Sequence, residues 1–450
     1  MTRTALVHGI AVAGEAVARR LVERGWNVLV SDDDPNDAKR SRAASFGTEL
    51  VERPDRARLV QMVAASDLVC PAPGVPETHD LVDVAASAGV PIRTEIDLAY
   101  LWEQERRGGP RPMLAVTGTD GKTTTTMLAA HMVRAGGRRA AAVGNTERPL
   151  VDALDDEVDV FVVECSSFRL HFAEHFRAEA SVWLNLAPDH LNWHRSLASY
   201  EGAKARMWAH LRADDVAVGN ADDEVVMRNL ARVSATTRTF ASTGADYRIE
   251  DDSLVGPMGT ICTTDRLTRA LPHDLTNALA AASLVLETGL ATPSNVADAL
   301  ATFVHPPHRI EPVAEFDGVR WFNDSKATTP HAALTAIRGF ERIVLLAGGR
   351  NKGLDLASLA QEHRRIKAVV GLGEAGPVVA AAFAEHCPVT TAASMADAVE
   401  RAAEFADEGD VVLLSPACAS FDWYPEGGYP ARGEDFKRLV SERRRKVGAR

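Results

Sequence analysis

Cysteine is scarce and scattered, with five thiols in 450 residues (Cys70, Cys165, Cys262, Cys387, Cys418) and no Cys-x-x-Cys pair. An odd number without paired spacing argues against a disulfide framework and suits reduced thiols in a cytoplasmic protein. No apolar run approaches the roughly 18 residues that a membrane-spanning helix needs. A basic excess is missing too: 50 Lys and Arg stand against 62 Asp and Glu, a formal net charge of −12. That balance argues against a general nucleic-acid or membrane-surface role. Basic residues do cluster at the C-terminus (Arg443, Arg444, Arg445, Lys446, Arg450), where they read as a solvated last helix. Internal repeats and low-complexity tracts are absent. So is a complete Gly-x-Gly-x-x-Gly fingerprint, because Ala11 stands in Gly9-Ile10-Ala11-Val12-Ala13-Gly14 where a glycine would let backbone approach a pyrophosphate. Arg3 followed by small apolar residues could begin a signal peptide, but the stretch reads better as strand, glycine turn and helix.

What is present is an ordinary enzyme composition, 46% hydrophobic and 25% charged, in a chain long enough for two or three domains. Residues 116–126 are the most informative: Val-Thr-Gly-Thr-Asp-Gly-Lys-Thr-Thr-Thr-Thr. Met113-Leu114-Ala115-Val116 leads in as a buried strand would, and Ala129, His131, Met132 and Val133 continue as a helix would. A glycine turn between strand and helix aims backbone N–H groups and the helix N-terminus at one point, which binds phosphate. Lys122 can reach the β/γ-phosphates and the Thr123 hydroxyl can ligate Mg²⁺. Val116 replaces the first glycine of the common P-loop, so this is a shorter Gly-x-x-Gly-Lys-Thr form.

Strands are expected at 4–8, 27–31 and 68–70, with a turn at 9–14 and a helix at 15–24; this alternation implies a doubly wound parallel sheet. The polar, kinked segment 106–112 reads as a linker. Further strands are expected at 158–164 and 180–186, an antiparallel insertion between about 240 and 268, and an alanine-rich helix over 275–287. His305-Pro306-Pro307 is a second hinge. Beyond it, strands at 343–347, 367–371 and 410–414 form a third doubly wound unit. Ligands in open α/β sheets sit beyond the carboxyl ends of strands. Glu164 closes one such strand and can face the P-loop to hold Mg²⁺, and Asp189 and His190 follow the end of the next.

These residues resemble the Mur ligase family. The matching segments are Thr117-Gly118-Thr119-Asp120-Gly121-Lys122-Thr123, Glu164-Cys165-Ser166-Ser167-Phe168, Leu184-Asn185-Leu186-Ala187-Pro188-Asp189-His190 and Ser199-Tyr200-Glu201-Gly202-Ala203-Lys204. Pro307-His308-Arg309-Ile310-Glu311, Phe322-Asn323-Asp324-Ser325-Lys326-Ala327-Thr328 and Ser415-Pro416-Ala417-Cys418-Ala419-Ser420-Phe421-Asp422 complete the set in the family's order. The Asn-Asp-Ser-Lys-Ala-Thr and Ser-Pro-Ala-Cys-Ala-Ser segments resemble the members that add D-glutamate. The resemblance implies an α/β protein of three domains: a Rossmann-like domain at 1–108 for the uridine substrate, a P-loop ATPase-like domain at 109–306, and a Rossmann-like domain at 307–450 for the amino acid. It implies closure about hinges near 106–112 and 305–307.

The implied activity is ATP-dependent amide ligation through an acyl phosphate, with UDP-N-acetylmuramoyl-L-alanine and D-glutamate as substrates. The alternative is a sister ligase with another amino acid or acceptor. A monomer is implied, with no nucleic-acid or membrane partner. By resemblance, Gly118, Thr119, Asp120, Gly121, Lys122, Thr123 and Thr124 hold the ATP phosphates, with Asn277, Arg309 and Asp324 completing the nucleotide site. Lys122, Glu164, His190 and Lys204 carry the catalytic role. Thr123 and Glu164 hold one Mg²⁺, and His190 with a carbamylated Lys204 holds another. Carbamate formation with CO₂ turns a repelling ammonium into an anionic oxygen ligand. Val12, Asp32, Asp33, Gly74, Asn145 and His190 fall to the uridine substrate; Thr328, Lys352, Ser420 and Phe421 fall to D-glutamate, with Lys352 a cation for its side-chain carboxylate. Departures from the family pattern are Ala11 and Ala13 in the first turn, Thr146-Glu147-Arg148 after Asn145, Asp274 after His273, Thr329 after Thr328, and a loop over 421–433 that is about two residues longer.

Overall fold

The computed structural model describes residues 2–146 and 148–447; Glu147 and Arg450, two of the charges noted above, lie outside the described residues. The chain forms two compact units, one of residues 1–270 with 274–303 and the other of residues 271–273 with 304–450.

The first unit holds two parallel sheets. In one, the strand order is Leu50–Glu52, Asn27–Asp32, Thr4–His8, Leu68–Pro71. In the other, it is Thr236–Phe240, Val216–Asn220, Ala180–Trp183, Met113–Thr117, Val160–Glu164, Ala140–Gly144. Every residue of Met113–Thr117 and of Val160–Glu164 is buried, as parallel strands covered by helices on both faces require. A small antiparallel sheet, Arg248–Glu250, Ser253–Gly256 and Gly259–Thr263, forms the expected insertion. The alanine-rich helix runs from Pro272 to Glu287.

The helix after the first strand begins at Val12, three residues earlier than its apolar pattern suggests, because Ala11 already occupies the N-cap. The strand expected over 180–186 stops at Trp183. There Asn185 leaves the ladder to hydrogen-bond the phosphate loop. The 106–112 segment is irregular as expected, yet Arg111 within it is buried. Its Nε and Nη2 donate to the Glu103 carboxylate at 2.8 and 2.7 Å, and two further nitrogen contacts reach the Asp156 and Leu154 carbonyls.

The second unit is a six-stranded sheet in the order Glu311–Phe316, Val319–Asn323, Val411–Ala417, Ile343–Gly348, Ile366–Leu372, Val389–Thr391. The first two strands pair antiparallel as an edge hairpin and the rest are parallel. The basic C-terminal cluster lies on the helix Gly428–Val447. Among the described residues no helix is long and apolar enough to cross a membrane, and all five cysteines are free thiols.

Candidate functional site

The glycine turn joins strand Met113–Thr117 to helix Lys122–Ala135, with Gly121 as N-cap at φ 84°. A Cβ on Gly121 would lie 2.7 Å from Asn277 Oδ1 and 3.0 Å from Leu184 Cδ1, and the left-handed φ favours glycine there. The loop is held from outside by Asn185. Its Oδ1 accepts the Thr119 and Asp120 N–H groups, each at 2.9 Å, and its Nδ2 donates to the Asp120 carbonyl at 3.2 Å. The Thr119 hydroxyl is buried against the Tyr200 hydroxyl at 3.1 Å. Thr123 and Thr124 occupy the first turn of the helix, and the Thr125 hydroxyl donates to Asn277 Oδ1 at 3.3 Å.

Two lysines converge on one carbonyl. Lys122 Nζ folds over its own loop and donates to the Gly118 and Thr119 oxygens at 2.9 and 2.6 Å. Lys204 Nζ donates to the same Gly118 oxygen at 2.6 Å and lies 4.5 Å from the Tyr200 ring centroid. Lys204 is 1% exposed. Burial, reinforced by the charge of Lys122, pushes its pKa well below the ordinary lysine range. The lowered basicity enlarges the share of neutral amine, which is nucleophilic where an ammonium is not.

Glu164 pairs with Val116 across two neighbouring strands, which puts it at the strand end beside the phosphate loop. Its Oε1 accepts from Asn145 Nδ2 at 2.9 Å. Its Oε2 is buried with no hydrogen-bond partner among the described residues. A buried carboxylate oxygen left without a donor is costly, and a hard cation such as Mg²⁺ is the partner that suits it. His190 sits at φ 57°, with Nε2 3.2 Å from Asp189 Oδ2 and its ring 6.2 Å from Tyr200. Tyr200 thus borders both His190 and Lys204. The oxygen donors of Thr123 and Glu164 suit Mg²⁺, a hard cation, and the loop N–H groups at the helix start suit phosphate.

Behind Glu164 runs a chain of contacts that the sequence reading missed. Asn145 Oδ1 accepts from Arg169 Nη1 at 2.5 Å, and Arg169 Nε donates to Glu95 Oε2 at 3.2 Å. Glu95 Oε1 accepts the Val151 N–H at 2.9 Å. Burial pushes the Glu95 carboxyl up, with Arg169 opposing it. Asn145, expected to contact the uridine substrate, thus holds Glu164 as well.

In the first sheet the two candidate carboxylates divide. Asp32 is buried; its oxygens accept from the Ile10 and Asp34 N–H groups at 2.8 and 2.9 Å and from Lys39 Nζ at 2.8 Å. Burial would raise its pKa, but Lys39 and these N–H groups outweigh that and hold it below the ordinary range. Asp32 thus fixes the glycine turn. Asp33 is half exposed, its Oδ2 2.9 Å from His79 Nε2 and 3.3 Å from His8 Nε2. Val12 is exposed at the start of its helix, and Gly74 lies in the turn after Leu68–Pro71.

The second unit carries the remaining candidates. Asp324 is buried, accepting from the Ile310 N–H at 3.2 Å and the Ser415 hydroxyl at 2.7 Å. Arg309, half-buried, lies between His308 and Ile310, both at positive φ. Lys352 is exposed, with Nζ 3.5 Å from Thr328 Oγ1. Ser420 is buried, whereas Phe421 is 52% exposed. Arg432 was not anticipated as a site residue. It is buried, and it binds the Ser325 hydroxyl and carbonyl at 2.9 and 2.8 Å and the Cys418 carbonyl at 3.1 Å. Burial lowers its pKa to about 10. It ties the 421–433 segment to the family-like segments 322–328 and 415–422.

Residues 116–285 match the Mur ligase middle domain, and residues 308–418 match the Mur ligase glutamate ligase domain. The UDP-N-acetylmuramoylalanine--D-glutamate ligase of Frankia casuarinae is 41% identical, covering 97% of this chain and 94% of that protein. The protein of the same name from Mycolicibacterium vanbaalenii is 36% identical, covering 97% of each. The fold is shared with a pseudomurein peptide ligase type C from Methanothermus fervidus, at TM-score 0.60 and 15% identity over 98% of this chain and 100% of that one. It is also shared with UDP-N-acetylmuramate-alanine ligase from Thermotoga maritima, at TM-score 0.59 and 18% identity over the same shares. With relatives this similar over nearly their whole length, the chain belongs to the Mur ligase family.

Proposed function

We propose that the protein joins D-glutamate to UDP-N-acetylmuramoyl-L-alanine in an ATP-dependent, ADP-forming reaction of peptidoglycan precursor synthesis. The observation that carries the chemistry is the phosphate loop itself, with two lysines on the Gly118 carbonyl and the bare Glu164 oxygen beside it. Phosphoryl transfer rests on positioning and on neutralising negative charge. In the reaction, the acceptor carboxylate attacks the γ-phosphorus of ATP and ADP leaves. The D-glutamate amine then attacks the acyl phosphate carbon, loses a proton, and the tetrahedral adduct expels phosphate. Lys122 swings from its loop carbonyls onto the β/γ-phosphates, joined by Arg309. Asn277 and Asp324 bind the nucleotide, and Val12, Asp33, Gly74, Asn145 and His190 the uridine substrate, with Asp32 shaping the turn beneath. Thr328, Lys352, Ser420 and Phe421 receive D-glutamate.

A pair of Mg²⁺ ions would be held by Thr123 with Glu164 and by His190 with a carbamate on Lys204, and would neutralise phosphate charge when bound. The carbamate forms when the neutral Nζ attacks CO₂: one N–C bond forms, one C=O π bond opens onto oxygen, and Nζ releases one proton. The depressed basicity of Lys204 supports this. The names of the relatives support D-glutamate. The division 1–108, 109–306 and 307–450 assigns acceptor, ATP and amino acid to successive parts of one cytoplasmic monomer.

Phosphate release from ATP with UDP-N-acetylmuramoyl-L-alanine, comparing D-glutamate, L-glutamate and other amino acids, tests the reading. Turnover confined to D-glutamate is expected. Turnover with another amino acid would move the enzyme to a sister specificity, and none with any would overturn the assigned acceptor.

A further inference from the structure

Glu77, His171 and His194 form a cluster of ligating side chains that the ligase chemistry leaves unused. Glu77 lies between strand Leu68–Pro71 and helix Asp80–Ala88 and is 4% exposed. His171 ends the helix Ser167–His171, and His194 follows in the segment before helix Leu197–Ala205. Both imidazoles place Nδ1 3.3 Å from the same oxygen, Glu77 Oε2. The three donor atoms all lie within 4.8 Å of one another. We propose that these residues bind a divalent cation of the zinc class, joining the part of the first unit built on its four-stranded sheet to the part built on its six-stranded one.

Distances, tautomers and charge all bear on this. Ligands at about 2.0–2.1 Å from a tetrahedral zinc stand roughly 3.3–3.4 Å apart, and both Glu–His separations match. His194 Nε2 faces the Ser167 hydroxyl at 2.9 Å; donating its proton there leaves the Nδ1 lone pair for a metal. The carboxylate is oriented by the Arg195 N–H on Oε1 at 2.6 Å and by the Ser199 hydroxyl on Oε2 at 2.5 Å. Two imidazoles with one carboxylate favour zinc, cobalt or nickel over Mg²⁺. The His171 side chain is 23% exposed, which gives an ion an entry and leaves a coordination position for water. A second cluster among the described residues, His8, Asp33 and His79, lacks the tautomer. His79 Nδ1 accepts the Leu81 N–H at 3.1 Å, so its Nε2 carries the proton toward Asp33 and has no lone pair to give.

The test is titration of the full-length protein, stripped with EDTA and held in millimolar Mg²⁺, with Co²⁺ and then Zn²⁺. The expected result is about one equivalent of Co²⁺ with the visible absorption of a four-coordinate nitrogen–oxygen site, displaced by Zn²⁺. Zn²⁺ should also raise the melting temperature. His171→Ala and Glu77→Gln should each weaken binding by at least about tenfold, with the melting temperature in EDTA reporting whether each variant folds. His171→Gln, which keeps a hydrogen-bond donor toward Glu77 but no imidazole, serves where alanine does not fold. No such absorption in the parent protein, or absorption undiminished in the folded variants, would overturn the proposal.

Discussion

Replacing Arg169 by methionine probes the support behind Glu164. Arg169 and Glu95 are 6% and 4% exposed, and the guanidinium holds both the Glu95 carboxylate and the Asn145 carbonyl oxygen. Deleting one partner of a buried ion pair costs about 3–5 kcal/mol, because the other charge stays buried and unpaired. Glu95 can escape by protonation. Burial already pushes its pKa up, and Arg169 is the strongest force holding it down. The loss should therefore sit near the low end, about 3 kcal/mol at neutral pH. The sign in pH follows: a carboxyl raised further in the folded state favours folding most below its unfolded pKa of about 4.3 and loses that advantage as pH rises through the folded value. The deficit of Arg169→Met should thus grow with pH across that window. Arg169→Met with Glu95→Gln removes both charges and should recover most of the stability. It should not restore Mg²⁺ affinity, since Asn145 stays unsupported beside Glu164; loss of an outer partner of a metal ligand weakens binding about 10–100-fold. Urea unfolding at several pH values and the Mg²⁺ dependence of phosphate release read the two effects separately. A single variant within about 1 kcal/mol of the parent, or a double variant no more stable than the single, would refute the ion-pair reasoning. An unchanged Mg²⁺ dependence would refute the link to Glu164.

Two other outcomes follow from the phosphate loop. Lys204→Ala should lower phosphate release by at least about 10²-fold, and formate or acetate should restore part of it by supplying carboxylate oxygens; near-normal activity at ordinary Mg²⁺ would sink the ligand assignment. Asn185→Ala frees the Thr119 and Asp120 N–H groups from their shared acceptor. At about 0.5–1.5 kcal/mol for each hydrogen bond, the KM for ATP should rise roughly tenfold, which steady-state kinetics at saturating acceptor and amino acid would measure.

The parts of this molecule that can be read in advance are those whose physics is local. The phosphate loop is one: glycine, lysine and threonine act within a few residues of one another, so their order alone carries the geometry. The parallel sheets are another, because strands covered on both faces are apolar throughout. Asp32 was legible in principle. It closes the strand Asn27–Asp32, whose last three residues are all buried, and the carboxyl end of such a strand is where an open α/β sheet places its polar contacts; Asp33 lies just past the strand. Lys204 is different. Its helix buries Tyr200, Ala203 and Lys204 together, and nothing in a lysine's identity announces burial, so only the family resemblance singled it out. Asn185, Arg169 and Glu77 escaped because their partners are remote: Asn185 reaches Thr119 across 66 positions, Arg169 reaches Glu95 across 74, and Glu77 reaches His194 across 117. A polar or charged side chain in a loop or a short helix has many possible partners, and the fold chooses among them only after the sheets are assembled. The residues that hold the candidate groups in place are therefore harder to read than those groups, since their role depends on partners far away in the chain.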